Sequence, residues 1–234
     1  LQLFLGHIDG TRFSLEESEV QHCTKVLRKQ LNDSVSFITG DGNLYSGIIE
    51  TLSKKSVSGR YELIEQDWGK VPYSLTVAVA PTKNMDRLET FVEKAVELGI
   101  TRIVPLLCDH SERKNLKIER LQKIALSATK QSLKGSLPRI DELTPFETLI
   151  QNIDPKSALI AHCEDAPKVS LVDAIKGNKG QHWVILIGPE GDFSSKEIKL
   201  AMDNGITPIH LGSSRLRTET AALAAVTMVY GEHL

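Results

Sequence analysis

The spacing of hydrophobic positions changes once along the chain, between residues 67 and 72. Before that point, short apolar-rich runs alternate with turns. Residues 1–5, 35–39, 45–52 and 56–64 read as strands, and Gly40-Asp41-Gly42-Asn43 as a turn. Ser14-Leu15-Glu16-Glu17 has the S-x-x-E form of a capping box and predicts a helix running to about Gln30. The stretch Asp67-Trp68-Gly69-Lys70-Val71-Pro72 breaks the pattern. It divides the chain into a small, mostly β unit, residues 1–68, and a larger domain, residues 73–234.

Beyond Pro72, apolar strands alternate with amphipathic helices. Residues 75–80, 103–107, 158–161, 184–187 and 209–211 are the strands. Leu88, Phe91, Val92, Ala95 and Val96 recur at helical spacing over 86–98, and Gly99 supplies a C-terminal stop. Further helices are predicted over 118–132, near 169–175, from the Ser194–Glu197 capping box to Gly205, and from Thr218 to the end. Continuous apolar strands alternating with helices imply an α/β domain whose parallel sheet is covered on both faces.

Composition narrows the function. The net charge of -2 provides no global positive field, so any nucleic-acid contact must come from a local basic patch. Cys23, Cys108 and Cys163 form no C-x-x-C pair, which argues against a cysteine zinc site and a disulfide framework and predicts a reducing cytoplasm. No apolar run has the length of a membrane span, and the first residues lack a signal-peptide layout. No G-x-x-x-x-G-K-[ST], no strand-linked G-x-G-x-x-G and no H-x-x-x-H occurs, which disfavours an NTPase, a dinucleotide enzyme and a metal site.

Parallel sheets bind ligands at the carboxyl ends of their strands. Three loops stand there: Ala161-His162-Cys163-Glu164, Gly188-Pro189-Glu190-Gly191-Asp192-Phe193, and Gly212 through Ala221, which carries Arg215 and Arg217 ahead of a helix rich in alanine and threonine. Read one at a time, the second is an ordinary strand-to-helix turn and the arginines a solvated face. Together they describe a cleft lined by backbone N–H groups, small residues and one or two cations.

At these loops the chain resembles the RsmE family, the 16S rRNA uridine-N3 methyltransferases of the SPOUT superfamily. The resemblance extends over nearly the whole chain. His22-Cys23-Thr24-Lys25-Val26-Leu27-Arg28 resembles the family's H-x-x-x-V-L-R, and Glu93 through Gly99 its E-K-A-x-E-L-G, with Pro105 following. Gln131-Ser132 with Leu137-Pro138 resembles its Q-S-x-R-x-x-x-P segment, and 188–194 and 211–221 its two cofactor loops. Two positions depart from the pattern: Lys130 stands where an acidic residue is common, and Lys134 where arginine is common.

The resemblance implies a PUA-like N-terminal β-barrel that binds RNA, a C-terminal trefoil knot, S-adenosylmethionine as cofactor, no metal, 16S rRNA of the small ribosomal subunit as substrate, and a homodimer. Ala161, His162, Gly188, Pro189, Glu190, Gly191, Leu211, Gly212, Leu216, Thr218 and Ala221 are then the expected cofactor-binding residues. Uracil N3 carries a proton at neutral pH, so transfer needs a base near N3 or a cation near the carbonyl oxygens. Arg217 is the expected cation, with Arg215 second; Glu219 is either the base or the group that orients Arg217. Arg12, His22, Lys25, Arg28, Lys29 and Lys134 are the expected RNA contacts, with His22, Lys25, Arg28 and Lys29 placed on a shared helix face. The apolar positions all around the last helix independently suggest burial against a second subunit. Another SPOUT RNA methyltransferase, a non-catalytic RNA-binding assembly factor and a nucleotide-binding enzyme remain alternatives.

Overall fold

The computed structural model describes residues 1–177 and 182–234. The chain forms two compact units, one of residues 1–70 with 129–137, the other of residues 71–128 with 138–234.

The first unit is a closed five-stranded barrel in the order β1 (Leu3–Asp9), β2 (Arg12–Leu15), β5 (Val57–Glu65), β4 (Leu44–Leu52), β3 (Ser34–Ile38). Parallel pairing of β1 with β3 closes it. Alternate residues point inward and fill the barrel with Phe4, Phe13, Phe37, Tyr45, Ile49 and Val57. The Phe37 ring stacks between Phe13, 4.8 Å away, and Tyr45, 5.3 Å away.

The helix expected from Ser14 to Gln30 is corrected here. Ser14 lies in β2, opposite His7 and Ser58, so strand pairing takes the residue that local pattern assigned to a cap. The helix α1 is only Glu17–Gln21 and runs into a π-turn, His22–Val26, closed by the Leu27 N–H on the His22 carbonyl at 3.0 Å. Arg28 then adopts φ +53°, which ends helical structure.

The second unit is a parallel sheet in the order β11 (Val169–Ser170), β13 (Thr207–His210), β10 (Ala158–Ala161), β12 (His182–Ile187), β6 (Ser74–Val79), β7 (Arg102–Leu107), β8 (Arg139–Ile140), with β9 (Thr144–Pro145) also on β7. The short strands β2, β8, β9 and β11 carry too few residues to show a period. Side chains alternate between the faces as the pleat requires. Leu75, Val77 and Val79 join the core under α2 (Met85–Glu97), α3 (Ile118–Gln131), α5 (Leu171–Gly177) and α7 (Thr218–Gly231). Ala78 and Ala80 join the opposite core under α4 (Phe146–Asn152) and α6 (Ser195–Asp203).

The α/β reading holds, and the expected local signals hold within it. Gly99 sits at φ +87° after α2, and the Ile100 and Gly99 N–H groups bond the Ala95 and Val96 carbonyls, both at 3.0 Å. Ser194 and Glu197 form the expected reciprocal capping box. The last helix is covered on one side only within the single chain. Ala222, Ala225, Val226 and Val229 are buried, whereas Thr220, Leu223, Ala224, Thr227 and Met228 line an open groove of about 640 Å³ with Val172.

Gly59 offers a direct test of the barrel. A Cβ there would lie 1.8 Å from the Ile48 carbonyl oxygen, a backbone atom that cannot give way. Gly59→Ala is expected to destabilise the barrel by more than about 3 kcal/mol, at the upper end for single substitutions. Urea denaturation checks this, and a midpoint equal to wild type contradicts it.

Candidate functional site

Register places the three loops side by side. Ala161 pairs with Ile187 on one flank and Ile209 on the other, so β10, β12 and β13 end at one level. Ile187 pairs in turn with Val79, which brings the 80–84 segment beside Gly188.

A buried hydrogen bond joins two of the loops directly. Thr218 Oγ1, at the start of α7, donates to the Gly188 carbonyl at 3.1 Å. Gly188 is tightly packed, since a Cβ there would meet the Phe193 amide nitrogen at 3.0 Å and its ring at 3.1 Å. Phe193, 3% exposed, anchors the far end of the same loop in the core; burying such a ring contributes roughly 1.5–3 kcal/mol.

Asp192 braces this loop, and no local spacing singles it out. It adopts φ +64°, a conformation costly for a residue with a Cβ. Its carboxylate offsets that cost by accepting the Cys163 N–H at 2.7 Å and the Phe193 N–H at 2.8 Å, which ties the loop after β12 to the loop after β10. His110 Nδ1 lies 3.1 Å from both the Gly191 and Asp192 carbonyls. Glu190 is exposed and accepts the Lys83 N–H at 3.1 Å. Such braces come from loops distant in sequence, so no local spacing announces them.

His162 is 5% exposed, and neither ring nitrogen has a hydrogen-bond partner. Burial, with nearby Lys168 adding to it, pushes its pKa below the ordinary 6.5. The ring is therefore neutral, with one donor and one acceptor unsatisfied. Lys168 donates to the His162 and Glu164 carbonyls at 3.0 and 2.6 Å and fixes the backbone of this loop.

The residues after β13 are more open. Gly212, Arg215 and Arg217 are exposed, Leu211, Leu216 and Ala221 half-buried. Arg217 is the N-cap of α7 and provides no side-chain cap, and among the described residues no side chain accepts from the amides of the first turn. Arg215 and Arg217 form no ion pair among the described residues. Glu219 faces Arg87 on α2, with 3.8 Å between carboxylate and guanidinium, and does not pair with Arg217. Its Oε2 is buried without a partner.

The expected RNA face is rearranged by the π-turn. Lys25 and Arg28 are exposed, but His22, Lys25, Arg28 and Lys29 do not share one α-helical face. The Nε2 atom of His22 is buried, with its ring 6.0 Å from Phe4. Lys29 donates to the Ser34 carbonyl at 2.9 Å, and Arg12 pairs with Glu50 at 3.0 Å. Lys134 is half-buried, which lowers its pKa. The departure at Lys130 has a local partner: its ammonium meets the buried Glu19 carboxylate at 2.6 Å. Among the described residues, no group of three or more His, Cys, Asp or Glu is arranged to hold a metal, and no helix is long and apolar enough to cross a membrane.

Comparison with known proteins places this architecture. The family model of an RNA methyltransferase domain matches residues 70–230, and that of an RNA methyltransferase PUA domain matches residues 15–60. A barrel and a parallel-sheet domain so matched define an RNA methyltransferase. Ribosomal RNA small subunit methyltransferase E of Rickettsia conorii is 31% identical, with 91% of this chain and 86% of the relative aligned. The protein of the same name from Bacillus subtilis is 29% identical over 94% of this chain and 90% of its own length. The chain belongs to this family, the ribosomal RNA small subunit methyltransferases E. Among solved structures, a probable rRNA-methyltransferase from Porphyromonas gingivalis is similar at a TM-score of 0.86 and 38% identity, covering 100% of this chain and 98% of the other. The family member from Neisseria gonorrhoeae, solved bound to S-adenosyl methionine, is similar at a TM-score of 0.84 and 25% identity, covering 99% and 98%.

Two outcomes follow from this geometry. Thr218→Val removes the donor to a buried carbonyl while keeping the shape, and should cost about 1–3 kcal/mol; unchanged urea stability contradicts the bond's role. For His162, the unfolded chain binds a proton below about pH 6.5 that the folded chain resists, so stability falls as pH drops through that range. His162→Asn should flatten the fall in urea midpoint between about pH 7 and 5. Identical slopes in the two proteins contradict the assignment.

Proposed function

We propose that this chain methylates N3 of a uridine in 16S rRNA of the small ribosomal subunit, using S-adenosylmethionine. Residues 1–68 serve as the RNA-binding unit and residues 73–234 as the knotted methyltransferase domain. The observation that carries the reading is the Thr218–Gly188 hydrogen bond, which unites the loops after β12 and β13 in a chain of this family.

The residues fit the cofactor. Gly188 carries no side chain in a tightly packed position, and among the described residues the first-turn amides of α7 lack a side-chain cap and both His162 ring nitrogens lack a partner. Ala161, His162, Gly188, Pro189, Glu190, Gly191, Leu211, Gly212, Leu216, Thr218 and Ala221 would hold it. When bound, it supplies a methyl group on an electrophilic sulfonium. The protein's part is to orient the uracil and manage one proton and the charge it leaves behind. Arg217 stabilises negative charge on the uracil carbonyl oxygens, with Arg215 beside it in the loop. Glu219 accepts the N3 proton. Its ion pair with Arg87 leaves the two loop arginines to the substrate.

The open groove along α7 fits a second copy of the chain. Leu223, Ala224 and Met228 of α7 and Val172 of α5 supply its apolar lining, with Thr220, Thr227 and Glu232 among them, and α7 begins at the cofactor loops.

Mass spectrometry of 16S rRNA from cells lacking the protein should show loss of one N3-methyluridine; its retention contradicts the reading. Arg217→Gln should lower kcat by about 100-fold or more with cofactor affinity little changed, as measured by methyl transfer and calorimetry. A near-wild-type kcat removes Arg217 from the mechanism. Light scattering should give twice the 25.9 kDa chain mass, and Ala224→Glu should halve it. A wild-type monomer with full activity contradicts the dimer.

A further inference from the structure

We propose that the turn spanning residues 25–31 of the barrel unit is a nucleobase-contacting surface. Val26, Leu27 and Leu31 lie against unpaired bases of the rRNA while Lys25 and Arg28 hold the flanking phosphates. The inference deepens the rRNA reading above and rests on it.

The barrel interior of this unit is closed, with Phe4, Phe13, Phe37, Ile38, Ile49 and Val57 each at most 1% exposed, and its other exposed large apolar side chains, Leu1, Leu63, Ile64 and Leu133, lie outside the turn. Val26, Leu27 and Leu31 are 65%, 36% and 54% exposed, within a single short turn. Apolar groups concentrated in the open mark a surface that meets something. The local backbone is built to present them. The π-turn widens the helix end through the bond from the Leu27 N–H to the His22 carbonyl, and Lys29 bonds back to Cys23 at 3.1 Å. Arg28 is then held at φ +53°, a conformation an arginine rarely adopts. Strain of this kind persists where the surrounding structure serves a site.

Charge selects the occupant. The turn carries Lys25, Arg28 and Lys29, and its nearest acidic group, Asp33, is engaged by the Gln30 N–H at 2.8 Å. Lys29 is engaged by the Ser34 carbonyl, which leaves Lys25 and Arg28, both exposed, as the cations beside the apolar tip. A polyanion with apolar faces between its charges satisfies both features, and single-stranded RNA is such a molecule. Phosphate contacts position the RNA, and apolar contacts with splayed bases distinguish an open loop from a duplex.

The two kinds of contact differ in salt dependence. Filter binding to isolated small ribosomal subunits across a series of KCl concentrations separates them. Val26→Ser combined with Leu27→Ser should weaken binding about tenfold at every salt concentration with the log–log slope unchanged. Arg28→Asn, which tolerates the positive φ, should lower the slope by about one. Leu31→Ser provides a second apolar variant and should also weaken binding at constant slope. Wild-type affinity in both apolar variants, or a loss that disappears with rising salt, overturns the proposal. So does a change in assembly mass by light scattering with RNA affinity intact, which would make the turn a protein-docking surface. Failure of the wild-type protein to bind the subunits would instead overturn the rRNA reading beneath it.

Discussion

The donation from Thr218 Oγ1 to the Gly188 carbonyl is the contact on which the site depends. The strand order creates the need for it. β13 is separated from β12 by β10, and the chain must then return across the sheet to lay α7 against α2 and β6. This return delivers the first turn of α7 to the end of β12. The bond is buried, where hydrogen bonds are electrostatically stronger than in water and costly to leave unmade. Its donor stands at the first residue of α7, whose N-cap Arg217 provides no side-chain cap, and its acceptor lies on a glycine where a Cβ would be tightly crowded. Backbone groups are therefore presented at a fixed place, and the cofactor reading follows from that.

Around this contact the loops brace one another. Asp192 spends a left-handed backbone conformation to hold the Cys163 and Phe193 amides, Phe193 buries the loop's end, and Arg87 engages Glu219. Pre-set groups of this kind need little reorganisation when substrate arrives, which is the condition for effective electrostatic stabilisation. The barrel unit solves a different problem. The chain carries a net charge of -2, so attraction to RNA cannot be global. The proposed RNA contact is accordingly local, at the turn where exposed Lys25 and Arg28 flank exposed apolar side chains.

Legibility in the sequence followed the range of the interactions. The Schellman stop at Gly99 and the capping box at Ser194 are complete within a few residues, and both were readable. The cap at Ser14 had the same local form, but pairing of β2 with β1 and β5 won over it. The π-turn leaves no periodic trace, so a continuous helix to Gln30 was the natural expectation. The candidate loops were visible from glycine placement and strand ends. Their braces were not, because Asp192 to Cys163, His110 to Gly191 and Arg87 to Glu219 join segments that meet only in the fold. Lys130 likewise looked anomalous until its partner Glu19 was seen.

The central claim is that the loops after β12 and β13 act as one backbone cradle. Hydrogen exchange of the 188–193 and 218–221 amides, with and without S-adenosylmethionine, measures this most directly. The account predicts that the cofactor slows both segments together in wild type, and that Thr218→Val uncouples them. Protection of one segment alone in the wild-type protein, or of neither, would contradict it.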